Sequence, residues 1–404
     1  MQTLWDQRFA LRTQNMSGST IRELLKLTQE PDIISFAGGL PAPEVFPVDE
    51  FTEACVRVMK QHGAQALQYG TTEGYQPLRE MIARHTNQYG IKVTADNIMI
   101  TSGSQQALDL IGKIFINPGD RILVESPTYL GALQAWNTYN AQYVTVPSDE
   151  NGIIVDKLEA ALRCGPKFMY VLPNFQNPTG VTIPLERRQK LVELAEKYGV
   201  PIIEDDPYGQ LRFEGKHLPA VEVLDDKLHA NNGCYHGNVI YLSTFSKILA
   251  PGIRLAWVVA SPDVVQKLVM AKQGSDLHTS TFNQMVAYEV ARDGFVDKHI
   301  VKINDVYRER RDVMVEALKN TMPNGVKWTH PQGGLFLWVT LPEQFDTSEV
   351  LLEAVKKKVA FVPGIAFHAD KTGKNTMRLN FSNAQPEMIR IGIQRLADTL
   401  KETL

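Results

Sequence analysis

The pattern of apolar residues predicts short buried strands that alternate with helices between about residues 95 and 260. Each predicted strand is a short, mainly apolar run bounded by polar or turn-forming residues, as buried strands usually are. These strands are Ile98–Thr101, Arg121–Glu125, Phe168–Leu172, Pro201–Glu204, Val239–Ser243 and Ala256–Ala260. Such alternation is typical of an α/β fold, in which a mostly parallel sheet carries helices on both faces.

The clearest helical pattern runs from Leu185 to Tyr198, where apolar residues recur every three or four positions. Pro184 before this run suits the first turn of a helix, because a proline lacks the N–H that the first turn leaves unpaired. Gly199 after the run suits the end of a helix, where a left-handed residue is common. We therefore predict a helix that is bounded by these two residues.

The C-terminal part has a different pattern, which predicts a second, smaller α+β domain. A helical pattern fills about residues 262–320, and short strands with a last helix follow it near 326–329, 334–340, 377–381 and 386–404. The Gly/Pro-rich stretch at 37–47 predicts an ordered connector, because neither a long helix nor a central strand accommodates it. We predict three parts: an N-terminal segment and connector that packs with the small domain (1–45), a large domain (46–295) and a small domain (296–404).

Composition narrows the class of protein. The 42 Lys and Arg against 45 Asp and Glu give a net charge of −3, which shows no nucleic-acid-binding character. Cys55, Cys164 and Cys234 are scattered without C-x-x-C spacing, so neither a disulfide scaffold nor a structural metal site is expected. No secretory signal and no membrane-spanning run is visible, and we expect a cytoplasmic protein.

The turn after the strand at 98–101 is a first candidate site. Gly103, Ser104 and Gln105 follow an apolar strand and open a helical pattern. The N–H groups of a helix start attract anions, and a glycine allows the backbone to approach one closely. These residues predict a phosphate-binding turn, although a polar turn with a helix cap explains them as well.

A second candidate is Lys247, in the segment YLSTFSKILAPGIR (241–254). A lysine at the carboxyl end of a strand lies where α/β sheets bind ligands, and burial would lower its pKa and make it nucleophilic. Thr244, Ser246 and Arg254 would hold a phosphate beside it. A surface lysine is the alternative. Ser–Lys acyl transfer is disfavoured because S-x-x-K spacing needs a serine where Thr244 stands.

Three further segments carry candidate groups. VPIIEDDPY (200–208) ends a strand in three acids, and one carboxylate there would bind a metal or a protonated ring nitrogen. NFQNPTG (174–180) is typical of a turn. An asparagine side chain in it is able to donate a hydrogen bond to a phenolate oxygen. Arg378 in MRLNFS suits bidentate binding of a carboxylate. A polar loop, a plain turn and a surface ion pair are the respective alternatives.

In this order, the segments resemble class I pyridoxal-phosphate aminotransferases of fold type I, over nearly the whole chain. Within that family the sequence most resembles the 2-aminoadipate aminotransferase subgroup. The closer match rests on STIRELLKLTQ (19–29), SFAGGLPAPE (35–44), LQYGTTEGY (67–75), GSQQALDL (103–110), NFQNPTG, AKQGSDLHTS (271–280) and FVPG (361–364). The resemblance implies that the large domain binds pyridoxal 5′-phosphate and that a smaller α+β domain accompanies it.

The resemblance also implies a role for individual residues. Lys247 would form the internal aldimine with the cofactor and move a proton from the substrate's α-carbon. Asp205 would face the pyridine nitrogen, and Asn177 and Tyr208 would bind the 3′-oxygen. The remaining implied cofactor contacts are Tyr129 on the ring face and Gly103, Ser104, Gln105, Thr244, Ser246 and Arg254 at the phosphate.

Substrate and subunit contacts follow from the same resemblance. Arg378 would bind the α-carboxylate, with Gly39 and Asn177 beside it. Tyr69 would reach the phosphate of the neighbouring subunit, which implies a homodimer. Arg22 would contact the distal carboxylate of 2-aminoadipate or glutamate, unless it is a solvated helix arginine. The segment 271–283 contains Lys272 but no arginine, which argues against strict aspartate specificity.

The resulting interpretation is a ping-pong aminotransferase that moves the amino group between 2-aminoadipate or glutamate, and also apolar or aromatic amino acids, and 2-oxoglutarate. A broad aromatic, branched-chain or kynurenine aminotransferase is the main alternative, and a carbon–sulfur lyase is a further one. A different class is the effector-binding module of a transcription regulator. We disfavour it because only about 35 residues precede SFAGGLPAP, too few for a DNA-binding domain.

Overall fold

The computed structural model describes residues 3–16, 32–229 and 235–403, so Arg22 and Cys234 lie outside the described residues. The strands, in chain order, are β1 (Ile34–Ser35), β2 (Ile98–Thr101), β3 (Arg121–Ser126), β4 (Gln142–Asp149), β5 (Gly152–Ile153), β6 (Met169–Val171), β7 (Ile202–Asp205), β8 (Val239–Thr244), β9 (Ala256–Val259), β10 (Lys327–Trp328), β11 (Phe336–Thr340), β12 (Val359–Ala360), β13 (Val362–Pro363) and β14 (Thr376–Asn380). The α-helices are α1 (Val48–Ala66), α2 (Gln76–Gln88), α3 (Ser104–Phe115), α4 (Leu130–Asn137), α5 (Val155–Leu162), α6 (Leu185–Tyr198), α7 (Val221–His229), α8 (Pro262–Gln273), α9 (Thr281–Ala291), α10 (Phe295–Thr321), α11 (Thr347–Lys356) and α12 (Pro386–Thr403).

The main sheet has eight strands in the order β2-β9-β8-β7-β6-β3-β4-β5. The neighbours from β8 to β4 all pair in parallel, whereas β9 runs antiparallel to β8 and to β2. Strands β6, β7 and β8 are buried along their whole length, which explains their continuous apolar sequences. The predicted mostly parallel α/β sheet is confirmed, and its parallel strands bring their carboxyl ends to one edge.

The six predicted strands all form, with ends that differ by at most one residue from the prediction. Strand β4 was not predicted, because most of its residues are only partly buried and Pro147 interrupts its apolar pattern. Helix α6 forms as predicted and ends at Gly199, which is left-handed with φ of 63°. Pro184 caps this helix from outside instead of standing in its first turn.

The C-terminal part contains a four-stranded antiparallel sheet in the order β10-β11-β14-β13. Helix α10 is 27 residues long and packs against α12. Near the N-terminus, β1 pairs in parallel with β12, which ties the connector to this part of the chain. The boundaries at residues 45 and 295 stay a prediction. None of the helices in the described ranges has the length and apolar character that crossing a membrane requires.

Candidate active site

The carboxylate of Asp205 lies at the carboxyl end of β7 and is buried. Its Oδ2 accepts a hydrogen bond of 2.7 Å from the hydroxyl of Tyr170 on the neighbouring strand β6. Its Oδ1 accepts no hydrogen bond from any residue that the structure describes. Burial raises the pKa of Asp205 to about 7, and the Tyr170 hydrogen bond opposes that rise. One carboxylate oxygen is therefore free to bind a cationic group.

Lys247 follows β8, and its Nζ donates a hydrogen bond of 2.9 Å to the carbonyl oxygen of Gly39. Burial lowers the pKa of Lys247 to about 8, and the positive charges of Arg378 and Arg254 lower it further. A substantial fraction of this amine is therefore neutral at physiological pH. A partly buried amine whose pKa is lowered in this way is suited to attack a carbonyl carbon on an anionic ligand.

The side chain of Arg378, on β14, is buried and fixed on every side. Its guanidinium carbon lies 4.2 Å from the ring centre of Phe336 and 4.9 Å from that of Phe367. Nη1 donates to Asn177 Oδ1 and Nη2 to the carbonyl oxygen of Ala37, each at 2.7 Å. Nε has no partner in the part of the chain that the structure describes. The fork is thus held rigidly where a carboxylate would meet it.

The predicted phosphate turn brings Gly103 directly against Arg254. Gly103 has φ of 88°, and a Cβ on it would overlap the Arg254 guanidinium. Ser104 opens α3, and its Oγ is buried without a partner among the described residues. The side chain of Gln105 donates one hydrogen bond to the carbonyl oxygen of Gly131 at 2.8 Å, which fixes its orientation. The glycine, the helix start and the arginine thus lie together, an arrangement that suits an anion.

The two hydroxyls after β8 differ in what they contact. Thr244 Oγ1 lies 2.9 Å from Ser246 Oγ and 3.0 Å from the carbonyl oxygen of Leu255, and it accepts a 3.0 Å bond from the Ser246 N–H. Both hydroxyls are buried. The hydroxyl of Thr244 is therefore hydrogen-bonded within the chain. Of the two hydroxyls, that of Ser246 is the better suited to contact a phosphate.

Two tyrosines line the same space as Asp205 and Arg378. Tyr208 is buried and meets Phe336 edge-on at 5.9 Å between ring centres. Burial is the main cause that raises the pKa of both Tyr208 and Tyr129, while the positive charge of Arg378 lowers both. A Cβ on Gly131 would stand 2.5 Å from the Tyr129 ring, so glycine is needed there for the ring's position.

Tyr69 lies outside this group within the single chain. Its side chain is 78% exposed, and its ring meets His278 edge-on at 5.8 Å. Lys272 is fully buried, and its Nζ contacts Asp276 Oδ1 at 2.8 Å and Gln106 Oε1 at 2.7 Å. The Lys272 cation is therefore already paired within the chain.

Sequence reasoning missed Tyr170, Phe336 and Phe367. Tyr170 belongs to an apolar strand, where a tyrosine looks like an ordinary core residue. Phe336 and Phe367 are 31 positions apart in the sequence, and both lie more than 100 positions from Asp205. Only the fold brings these two rings onto the Arg378 guanidinium, and no local pattern marks them.

Comparisons with known proteins agree with this geometry. Residues 34–396 match the family described as "Aminotransferase class I and II". The chain is 50% identical to "Aromatic-amino-acid aminotransferase 1" of Thermococcus litoralis, over 99% of this chain and 95% of that protein. A multiple substrate aminotransferase from Thermococcus profundus matches with a TM-score of 0.93 and 48% identity, over 99% of both chains. The alpha-aminoadipate aminotransferase LysN of Thermus thermophilus, complexed with N-(5′-phosphopyridoxyl)-L-leucine, matches with a TM-score of 0.92 and 42% identity, again over 99% of both chains.

Proposed function

This chain belongs to the class I and II aminotransferases, and we propose that it exchanges an amino group between an L-amino acid and 2-oxoglutarate by a ping-pong mechanism. It is an enzyme, and its cofactor is pyridoxal phosphate. The observation that carries the proposal is Lys247, a partly buried amine whose pKa is lowered to about 8 by burial and by the positive charges of Arg378 and Arg254. Arg254 would bind the cofactor's phosphate, and Arg378 would bind the substrate's α-carboxylate.

The residues present fit pyridoxal phosphate. Asp205 Oδ1 and Ser104 Oγ have no hydrogen-bond partner among the residues that the structure describes; the first suits a protonated ring nitrogen and the second a phosphate oxygen. The space beside Gly103, which a Cβ would fill, allows Arg254 to reach the same phosphate. When bound, the cofactor supplies an aldehyde that condenses with amines and a ring that accepts the electrons released at the α-carbon.

The chain's own residues would then act as follows. Lys247 Nζ accepts the proton that leaves the substrate's α-carbon, which its lowered pKa permits near neutral pH. The ionised form of Asp205 favours a cationic group at Oδ1. Arg378 holds the α-carboxylate with its fork, and Asn177, already hydrogen-bonded to that fork, aligns it. Burial of these groups excludes water from the reacting atoms.

For the amino donor, we propose both acidic and apolar or aromatic amino acids. The relatives support this breadth, since one is named for aromatic amino acids and another for multiple substrates. A third is named for alpha-aminoadipate but is complexed with a phosphopyridoxyl derivative of leucine. Lys272 is internally paired, so the proposed contact to a distal carboxylate falls to Arg22.

The experiment compares kcat/KM for L-2-aminoadipate and for L-phenylalanine, each with 2-oxoglutarate, in the wild type and in Arg22→Ala. Because the variant has no charge-assisted bond to offer the distal carboxylate, its aminoadipate value should fall by about tenfold or more, while its phenylalanine value should stay nearly unchanged. Arg8→Ala, an exposed arginine of the same terminal segment, is the control and should change neither. Equal decreases for both substrates, or none for aminoadipate, would contradict the Arg22 assignment.

We also propose a homodimer in which Tyr69 completes the neighbouring site. The side chain of Tyr69 is exposed, and so is that of Leu67 two positions before it. Leu277 and Met59 are further exposed apolar side chains. A second copy that covers these side chains would remove apolar surface from water. The cytoplasmic location stays a prediction.

Mixed dimers test the shared site. Lys247→Ala and Tyr69→Ala would each be inactive or nearly so alone. In a mixed dimer, one site combines the intact Lys247 of one chain with the intact Tyr69 of the other. Equal mixing and subunit exchange should therefore restore about a quarter of wild-type activity per chain. No restoration, with exchange verified by differently tagged chains, would overturn the shared-site proposal.

A further inference from the structure

Tyr170 is a buried residue of β6 whose only described polar contact is with Asp205. Its hydroxyl donates to Asp205 Oδ2 at 2.7 Å. Its ring meets Trp136 edge-on, at 5.0 Å between centres and 86° between planes. Trp136 is itself fixed, since its Nε1 donates to the carbonyl oxygen of Leu108 on α3 at 2.9 Å. The packing of the ring against Trp136 therefore holds the Tyr170 hydroxyl in position to donate to Asp205.

The hydrogen bond has two physical consequences. It satisfies one oxygen of a carboxylate that burial would otherwise neutralise, because a donor favours the charged form. It also fixes the carboxylate plane, so that Oδ1, and not Oδ2, is the oxygen left free. Tyr170 itself remains a donor, because burial and the charge of Asp205 raise its own pKa well above the usual value.

We propose that Tyr170 is a positioning residue, which favours the ionised form of Asp205 and leaves Oδ1 to face the cofactor's ring nitrogen. The inference rests on the proposed role of Asp205. It gives Tyr170 a function in cofactor binding and in the pH range of the enzyme. Other titratable groups that interact electrostatically with Asp205 are Asp206, Tyr129 and Tyr208, and none of them is hydrogen-bonded to its carboxylate in the described structure.

The test measures the dissociation constant of pyridoxal phosphate from the apo-protein between pH 5.5 and 9, followed by absorbance and fluorescence. In Tyr170→Phe the affinity at neutral pH should fall by about tenfold or more, the usual worth of a hydrogen bond to a charged group. The pH below which binding weakens should rise, since Asp205 loses the bond that favours its charged form. An unchanged affinity together with an unchanged pH midpoint would overturn the proposal.

Tyr235→Phe is the matched control. Tyr235 is also buried and donates to a buried carboxylate, that of Asp225, at 2.6 Å. This variant removes a hydrogen bond of the same kind, together with the 2.8 Å bond that the hydroxyl accepts from the Val239 N–H. Because both lie away from the site, it should lower the melting temperature but leave cofactor affinity unchanged. If both variants weaken the cofactor equally, Tyr170 acts only through general stability and the proposal fails.

Asp205→Asn separates this inference from the proposed function. If cofactor affinity is unchanged in Asp205→Asn, the role of Asp205 is wrong and the inference falls with it. If Asp205→Asn weakens binding but Tyr170→Phe does not, only the inference fails. The proposal predicts that Tyr170→Phe weakens binding in the wild-type background and adds little in the Asp205→Asn background, because the two residues act through one interaction.

Discussion

Replacement of Gly103 by alanine should weaken the cofactor through Arg254. Gly103 and Gly119 have the same φ of 88°, but their surroundings differ completely. A Cβ on Gly103 overlaps the guanidinium of Arg254, whereas a Cβ on Gly119 meets no atom within 4 Å. Both alanine variants therefore place a side chain at positive φ, but only Gly103→Ala displaces the arginine.

The magnitudes follow from that difference. An alanine at positive φ costs folding stability at both positions, and at Gly103, where ψ is 160°, that cost is about 1–3 kcal/mol. In Gly103→Ala alone, loss of a charge-assisted bond between Arg254 and the phosphate should also weaken cofactor binding by about 1.5–3 kcal/mol. This corresponds to an increase of about 10–100-fold in the dissociation constant of pyridoxal phosphate. The assay titrates the cofactor into each apo-protein and records thermal unfolding in parallel. The reasoning is refuted if Gly103→Ala binds pyridoxal phosphate as the wild type does, or if Gly119→Ala weakens binding to the same extent.

Three further predictions test other parts of the account. Arg378→Lys lacks the planar fork between Phe336 and Phe367 and should lower kcat/KM for every amino acid by about 100-fold or more; steady-state kinetics check this, and a decrease of only a few-fold contradicts it. Trapping of pyridoxal at Lys247 with cyanoborohydride, followed by mass spectrometry of the apo-protein, should show a pH midpoint near 8, because burial lowers the pKa to about 8 and more neutral amine forms as pH rises; a midpoint above about 10, that of a free lysine, would refute the burial argument. Gly392→Ala in α12 should destabilise by about 1–3 kcal/mol in urea unfolding, although alanine normally favours a helix, because its Cβ would stand 2.6 Å from the Phe36 ring; unchanged or increased stability would contradict it.

The sequence predicted the parts of the fold that local pattern controls. Strands β6, β7 and β8 are continuous apolar runs because both of their faces are buried, and such runs are visible in sequence. Strand β4 is only partly buried, so its residues carry no comparable signal. Strand β12 is a two-residue strand that pairs with β1, more than 300 positions earlier in the chain, so no local pattern marks it.

The candidate site divides in the same way. Asp205 and Lys247 stand at the carboxyl ends of predicted strands, so topology alone brings them to one edge of the sheet. The groups that tune them come from distant elements and leave no local trace. Tyr170 resembles a core residue, and Phe336 resembles an ordinary strand residue, until the fold places the first on Asp205 and the second on Arg378.

The most direct measurement of the central claim is the visible absorption spectrum of the protein with pyridoxal phosphate bound, before and after L-2-aminoadipate and then 2-oxoglutarate are added. The account predicts that the cofactor's visible band disappears with the amino acid and returns with the oxo acid, and that Lys247→Ala shows no such cycle. L-phenylalanine should produce the same first change if the proposed breadth is correct. A protein that shows no visible band after incubation with pyridoxal phosphate would contradict the assignment of Lys247 and the mechanism built on it.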